Sequence, residues 1–150
     1  MEHYTAMAPA QERVPLSIIN IIAEFYQEME PSASRISAIE YAKSVLSHSQ
    51  LFLIDDIKNP VGFISFISKN NKTAHINAMY INPTPRSKGL ARKSLLNAVA
   101  QLKKHGFTSI TLGVDAANFK AVALYRSVGM KVYAHGTEDG RDYQLFRFYF

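Results

Sequence analysis

Arg86-Ser87-Lys88-Gly89-Leu90-Ala91 stands where the hydrophobic period of the chain changes. Upstream, residues 73–81 are rich in strand-forming residues. Downstream, Leu90, Leu95, Leu96, Val99 and Leu102 recur at helical intervals up to Gly106, a residue suited to the position just past a helix end. The spacing predicts a strand ending near Asn82, a turn through the six residues, and a helix starting near Lys88. At such a start the first N–H groups lack intrahelical partners and the helix dipole favours negative charge. Gly89 and Ala91 let a phosphate approach the backbone, and Arg86 and Lys88 add two positive charges to the same rim.

The pattern extends outward in both directions. Residues 3–8 read as a short strand. Residues 16–29 carry Leu16, Ile18, Ile19, Ile21, Ile22, Phe25, Tyr26 and Met29 on a wide helical stripe behind Pro15, and Pro31 stops it. A second helix is expected after Ser37, whose spacing to Glu40 is that of a capping box. Strands at 51–55, 61–68 and 73–81, separated by turn-forming stretches, read as an antiparallel meander. Beyond the central helix come a strand at 107–114, a helix at 118–128, and strands at 130–134 and 143–150 joined by a polar loop at 135–142. The fold class is mixed α/β: a mostly antiparallel central sheet flanked by helices. The strand–helix–strand passage around Gly89 requires a parallel pair with a right-handed crossover. No repeat or linker interrupts this order, so a single domain over residues 1–150 is expected.

Composition limits the chemistry. With no cysteine among 150 residues there is no disulfide, zinc ribbon, redox dithiol or thiol nucleophile, and a reducing cytoplasm is the expected location. The first thirty residues lack the basic start, apolar core and small-residue cleavage site of a secretory signal and no apolar run reaches about 18 residues, so neither a signal nor a membrane span is expected. The five histidines lack metal-ligand spacing, so no metal is expected. Net charge is +5 but unevenly placed: residues 76–150 hold eleven basic and four acidic side chains, whereas residues 1–75 hold six and eight. A field of that sign attracts phosphates. Neither GxGxxG in the first strand–helix unit nor GxxxxGK[ST] anywhere accounts for it.

Arg86-x-x-Gly89-x-Ala91 after a strand resembles the pyrophosphate-binding motif of the GNAT superfamily of acetyl-CoA-dependent N-acetyltransferases. Asn118, Ala121, Leu124, Tyr125 and Gly129-Met130 resemble a second pattern of that family, Asn-x-x-Ala-x-x-Leu-Tyr-x-x-x-Gly-Phe, with Met in place of Phe. The resemblance covers most of the chain from Gln50 onward. It implies that acetyl-CoA is the co-substrate, with its pyrophosphate over Arg86, Ser87, Lys88, Gly89, Leu90 and Ala91. It further implies that the pantetheine arm pairs with backbone at Met79, Tyr80 and Ile81, and that Asn118 and Tyr125 stand near the reacting centre. Arg92, Lys93, Lys120 and Arg126 are further candidates for the nucleotide phosphates.

Acyl transfer to an amine needs a neutral nucleophile and a protonated leaving thiolate. By the same resemblance, Tyr125 is the general acid to the CoA sulfur; a phenol of pKa about 10 is protonated at neutral pH. His75, eleven residues before Arg86, is the candidate base, with Asn77 and Tyr80 as fallback groups for orienting water or substrate. The acceptor pocket is expected among the first two helices and the 136–142 loop. There Phe25, Tyr26 and Met29 offer apolar surface, and Glu28, Glu30, Glu138, Asp139 or Asp142 can attract a cationic amine.

The reading is therefore direct transfer of the acetyl group from acetyl-CoA to a primary amine, with a small molecule or a peptide as acceptor. No nucleic-acid or membrane partner is expected, and a homodimer is open. The alternative is a GNAT-fold module that binds acyl-CoA without turnover. A nucleic-acid surface fits less well, because the cations cluster at one helix start and the aromatics fall mainly in apolar strands.

Overall fold

The computed structural model describes residues 5–7, 14–55, 58–83 and 89–150, with 5–7 described as backbone. In chain order the elements are β1 (Thr5–Met7), α1 (Leu16–Met29), α2 (Arg35–His48), β2 (Gln50–Ile54), β3 (Gly62–Ser68), β4 (Thr73–Ile81), α3 (Leu90–Lys104), β5 (Ser109–Asp115), α4 (Phe119–Ser127), β6 (Lys131–Glu138) and β7 (Arg141–Tyr149). The expected order and the mixed α/β class both hold. The chain forms two compact units, one of Met1–Phe66 with Ala78–Lys88 and one of Ile67–Asn77 with Gly89–Phe150.

In the first unit the strand order is β1-β2-β3-β4, to which β4 gives its C-terminal part. β2 pairs antiparallel with β1 and with β3. Ile18, Ile21 and Ile22 of α1 and Ala42 of α2 pack on Leu51, Leu53, Phe63, Ala78 and Tyr80. That apolar contact, rather than helix propensity, holds helices of 14 residues. Gly62 lets two strands approach closely, since a Cβ there would collide with the carbonyl oxygen of Tyr80. One expectation fails here. Helix α2 starts earlier, because Ser34 is its N-cap and accepts the Ser37 N–H at 3.0 Å. Met29, at the end of the stripe, is 52% exposed.

In the second unit the order is β4-β5-β7-β6, with β4 giving its N-terminal part. β4 and β5 pair in parallel from Thr73↔Ser109 to Ile76↔Leu112. β5 pairs antiparallel with β7 along its whole length, from Ser109↔Tyr149 to Asp115↔Tyr143. The polar loop expected at 135–142 is instead the end of a hairpin. β6 runs to Glu138, β7 begins at Arg141, and Asp139 (φ 51°) and Gly140 (φ 74°) make a two-residue turn with both φ positive. Its polarity reflects two solvent-facing sides, since Gly136, Thr137 and Glu138 are all exposed.

Candidate active site

A cavity of about 330 Å³ opens on the second unit, lined by His75, Ile76, Asn77, Gly113, Gly136, Thr137, Glu138, Tyr143 and Leu145. Its position follows from strand pairing. The β4–β5 register stops at Ile76↔Leu112, and the next residue of each strand, Asn77 and Gly113, lines the cavity. Gly113 contributes no side chain, so the cavity reaches the β5 backbone. A Cβ there would come within 3.2 Å of Leu145 Cδ2.

His75 is half-buried on this wall. Its Nδ1 lies 2.8 Å from Thr111 Oγ1, the residue facing it across the parallel pair. With Nδ1 donating to the hydroxyl, the Nε2 lone pair is the basic atom, and Nε2 has no hydrogen-bond partner among the described residues. Burial, and secondarily the charge of Lys69, lower the His75 pKa below its usual value, so the ring is neutral at pH 7. Glu138 is the only carboxylate in the lining.

Tyr125 belongs to the last turn of α4 and packs on Phe146, with ring centroids 6.1 Å apart. Burial raises its phenol pKa, and its hydroxyl has no hydrogen-bond partner among the described residues. Alternation along β5 and β7 places Thr111 and Leu145 on one face and Leu112 and Phe146 on the other. His75 and Tyr125 therefore lie on opposite faces of the same sheet. Asn118 is the α4 N-cap, its Oδ1 accepting the Ala121 N–H at 3.2 Å.

Helix α3 starts from Gly89, whose φ of 85° is left-handed, and no atom of the described residues lies within 4 Å of where its Cβ would be. Leu90 is buried and Ala91 half-buried behind that open start. Arg86, Ser87 and Lys88 lie outside the described residues. Of the further cations, Arg92 donates to the Ser127 carbonyl at 3.4 Å and the Arg126 guanidinium sits 5.6 Å from the Phe146 ring centre. Lys93 and Lys120 are exposed.

In the first unit, Met79 and Ile81 are half-buried. The Tyr80 side chain packs on Phe25 and Phe63 and donates its hydroxyl proton to Glu28. Burial and the Glu28 carboxylate raise its pKa strongly, and its hydroxyl is engaged by Glu28. Phe25 and Tyr26 are likewise engaged, in ring contacts with Phe63 and Tyr41. Among the described residues, no cluster of His, Asp and Glu is arranged to hold a metal ion, and no helix is long and apolar enough to cross a membrane.

The sequence profile of the acetyltransferase (GNAT) family matches residues 16–130. The chain belongs to that family. GNAT acetyltransferases of known structure share its fold. A Bacillus subtilis acetyltransferase in complex with CoA aligns with a TM-score of 0.73 at 15% identity, over 99% of each chain. A GNAT acetyltransferase from Elizabethkingia anophelis with acetyl-CoA bound aligns at 0.69 and 13% identity, over 99% of this chain and 98% of that one. Among curated proteins, a mycothiol acetyltransferase of Renibacterium salmoninarum is 45% identical over 49 residues, which span 33% of this chain and 14% of that protein.

Sequence reasoning missed Thr111, Tyr143 and Leu145 as parts of the site, because register across three strands brings them to His75 and no local motif encodes it. Gly113 did leave a signal. A glycine inside the strand-forming run Ile110-Thr111-Leu112-Gly113-Val114 marks a place where something approaches the backbone closely.

Proposed function

We propose that this GNAT protein transfers the acetyl group of acetyl-CoA directly to a primary amine seated in the cavity beside His75. The observation that carries the reading is the coincidence of three features at one point. There the β4–β5 ladder stops, Gly113 bares the backbone, and a neutral, half-buried imidazole faces the space. The acceptor arrives as an ammonium, drawn by Glu138, and gives a proton to Nε2 of His75. The neutral amine then attacks the thioester carbon, and the oxyanion is met by backbone N–H at the ladder break. As the C–S bond breaks, the thiolate takes the phenolic proton of Tyr125 from the other face of the sheet. The nitrogen, positively charged after attack, releases its second proton to solvent, so the products are the amide and free CoA; His75 then gives its proton to solvent and Tyr125 takes one back.

In this reading acetyl-CoA is held by the loop and helix start at Arg86, Ser87, Lys88, Gly89, Leu90 and Ala91, by backbone at Met79, Tyr80 and Ile81, and by Asn118. The left-handed Gly89 and the open space around it support that placement.

The test is release of free CoA thiol from acetyl-CoA across a panel of amines. Turnover with at least one amine is expected. Tight acetyl-CoA binding with no thiol release for any amine would replace the reading by a sensor that binds acyl-CoA without chemistry.

A further inference from the structure

The face of β7 that lines the cavity continues past it. Tyr143 and Leu145 line the cavity, and Arg147 and Tyr149 follow on the same face by strand alternation. Arg147 stands opposite Lys131 of β6, and the β6 register shifts between Val132 and Ala134, leaving Tyr133 as an extra residue. That bulge turns Tyr133 toward Arg147. The Arg147 guanidinium carbon is 4.6 Å from the Tyr133 ring centre and 4.9 Å from that of Tyr149. A groove of about 450 Å³ lies here, lined by Lys131, Tyr133, Arg147 and Tyr149 together with Gly129, Val132 and Phe148.

Three features of this groove point to an anion. Its lining has two cations and no carboxylate. Neither cation is ion-paired among the described residues, whereas Arg141 on the same strand pairs with Asp115 at 3.7 Å. Arg147 is also fixed in advance. Two tyrosine rings lie within 5 Å of its guanidinium carbon and restrict the side chain, so less freedom is lost when the fork meets a carboxylate. The tyrosines themselves are 41% and 65% exposed.

We infer that this groove docks an acidic side chain of a peptide acceptor whose amino group enters the cavity beside His75. The inference rests on the proposed function. From Tyr143 to Arg147 the strand rises about 13 Å, the length of about four residues of extended peptide. The acid is therefore expected about four residues from the reacting amine. Single-stranded nucleic acid also uses exposed tyrosines with cations. A peptide is favoured because Arg147 of the groove stands on the strand face whose Tyr143 and Leu145 line the cavity, so one extended chain can reach both.

The test uses the full chain saturated with acetyl-CoA and two fluorescent ten-residue peptides of Gly and Ser with free N-termini. One carries Asp-Glu at the fourth and fifth positions, the other Asn-Gln. The acidic peptide should bind about tenfold more tightly, the size of one charge-assisted pair. Arg147→Gln and Lys131→Gln should erase the difference without altering binding of the neutral peptide. Arg147→Lys, which keeps the charge but not the fork, should retain part of it and shows that the strand still folds. Equal binding of the two peptides, a preference that survives Arg147→Gln, or tighter Arg147-dependent binding of an oligothymidylate of matched charge would overturn the inference. Binding is read without turnover. Loss of acidic preference in a protein that still releases CoA thiol with small amines therefore sinks the docking groove alone. Absence of thiol release with every amine sinks the proposed function and with it the acceptor role of the groove, whereas an Arg147-dependent acidic preference would then stand as peptide binding alone.

Discussion

In the proposed mechanism His75 and Tyr125 divide the proton work, and burial favours the part given to each. Lowering the imidazole pKa keeps the base unprotonated at neutral pH, and raising the phenol pKa keeps the acid protonated. His75→Gln keeps a polar group near Thr111 but removes the base. It should lower kcat by about 100-fold or more and abolish the acidic limb of the kcat/KM profile, which in the wild type should fall below pH about 6.5. If the limb persists in the variant, another group is the base. The same shift carries a stability sign. A folded-state pKa below the unfolded value means that acid protonates the unfolded chain first, so stability should be full above pH about 6.5 and be lost as pH falls through the lowered value. Tyr125→Phe should lower kcat about 100-fold and leave the acetyl-CoA Kd unchanged. Its thermal stability should not drop, because the hydroxyl it removes has no hydrogen-bond partner among the described residues. Unchanged kcat in this variant would remove Tyr125 from the chemistry.

At the scale of elements, the start of α3 carries the cofactor argument, and two substitutions at Gly89 separate its parts. Gly89→Ala meets open space but must hold a φ of 85°, so its cost is backbone strain of about 1 kcal/mol. The expected result is a modest loss of stability with acetyl-CoA binding retained. Gly89→Glu adds the same strain together with bulk and negative charge at the dipole's positive end, and should abolish binding. Equal affinity of the two variants by calorimetry would move the pyrophosphate elsewhere. Elements of this kind were readable in sequence wherever a period changed, as at Leu90; the role of Asn118 as the α4 N-cap came from the structure. Boundaries were less readable. Ser34 and Ser37 are both plausible caps, and their own hydrogen bond decides which one starts α2. Residues 135–142 looked like loop because exposed strand and loop share a polar composition. The cavity was readable only in part, since His75 and Glu138 carry chemistry in their names while Thr111, Tyr143 and Leu145 reach the site through register alone.

At the scale of the whole molecule, the charge asymmetry makes its own prediction. The balance of +7 in residues 76–150 is carried by eleven basic side chains against four acidic ones. CoA brings about four negative charges, so a large part of its affinity should be long-range attraction to this field. Raising NaCl from about 0.05 to about 0.5 M shortens the screening length from about 14 to about 4 Å. Acetyl-CoA affinity should fall several-fold over that range, and dephospho-CoA, with less charge, should show a shallower slope. The acceptor side should respond differently. A small amine attracted by Glu138 alone interacts with one carboxylate at close range, so its KM should rise only slightly with salt. An acidic peptide reaching Arg147 and Lys131 should lose its advantage over the neutral peptide as salt rises. If acetyl-CoA affinity is flat across the salt range while the protein stays folded, the basic half does not serve the cofactor, and the phosphate reading of the Gly89 loop loses its electrostatic support.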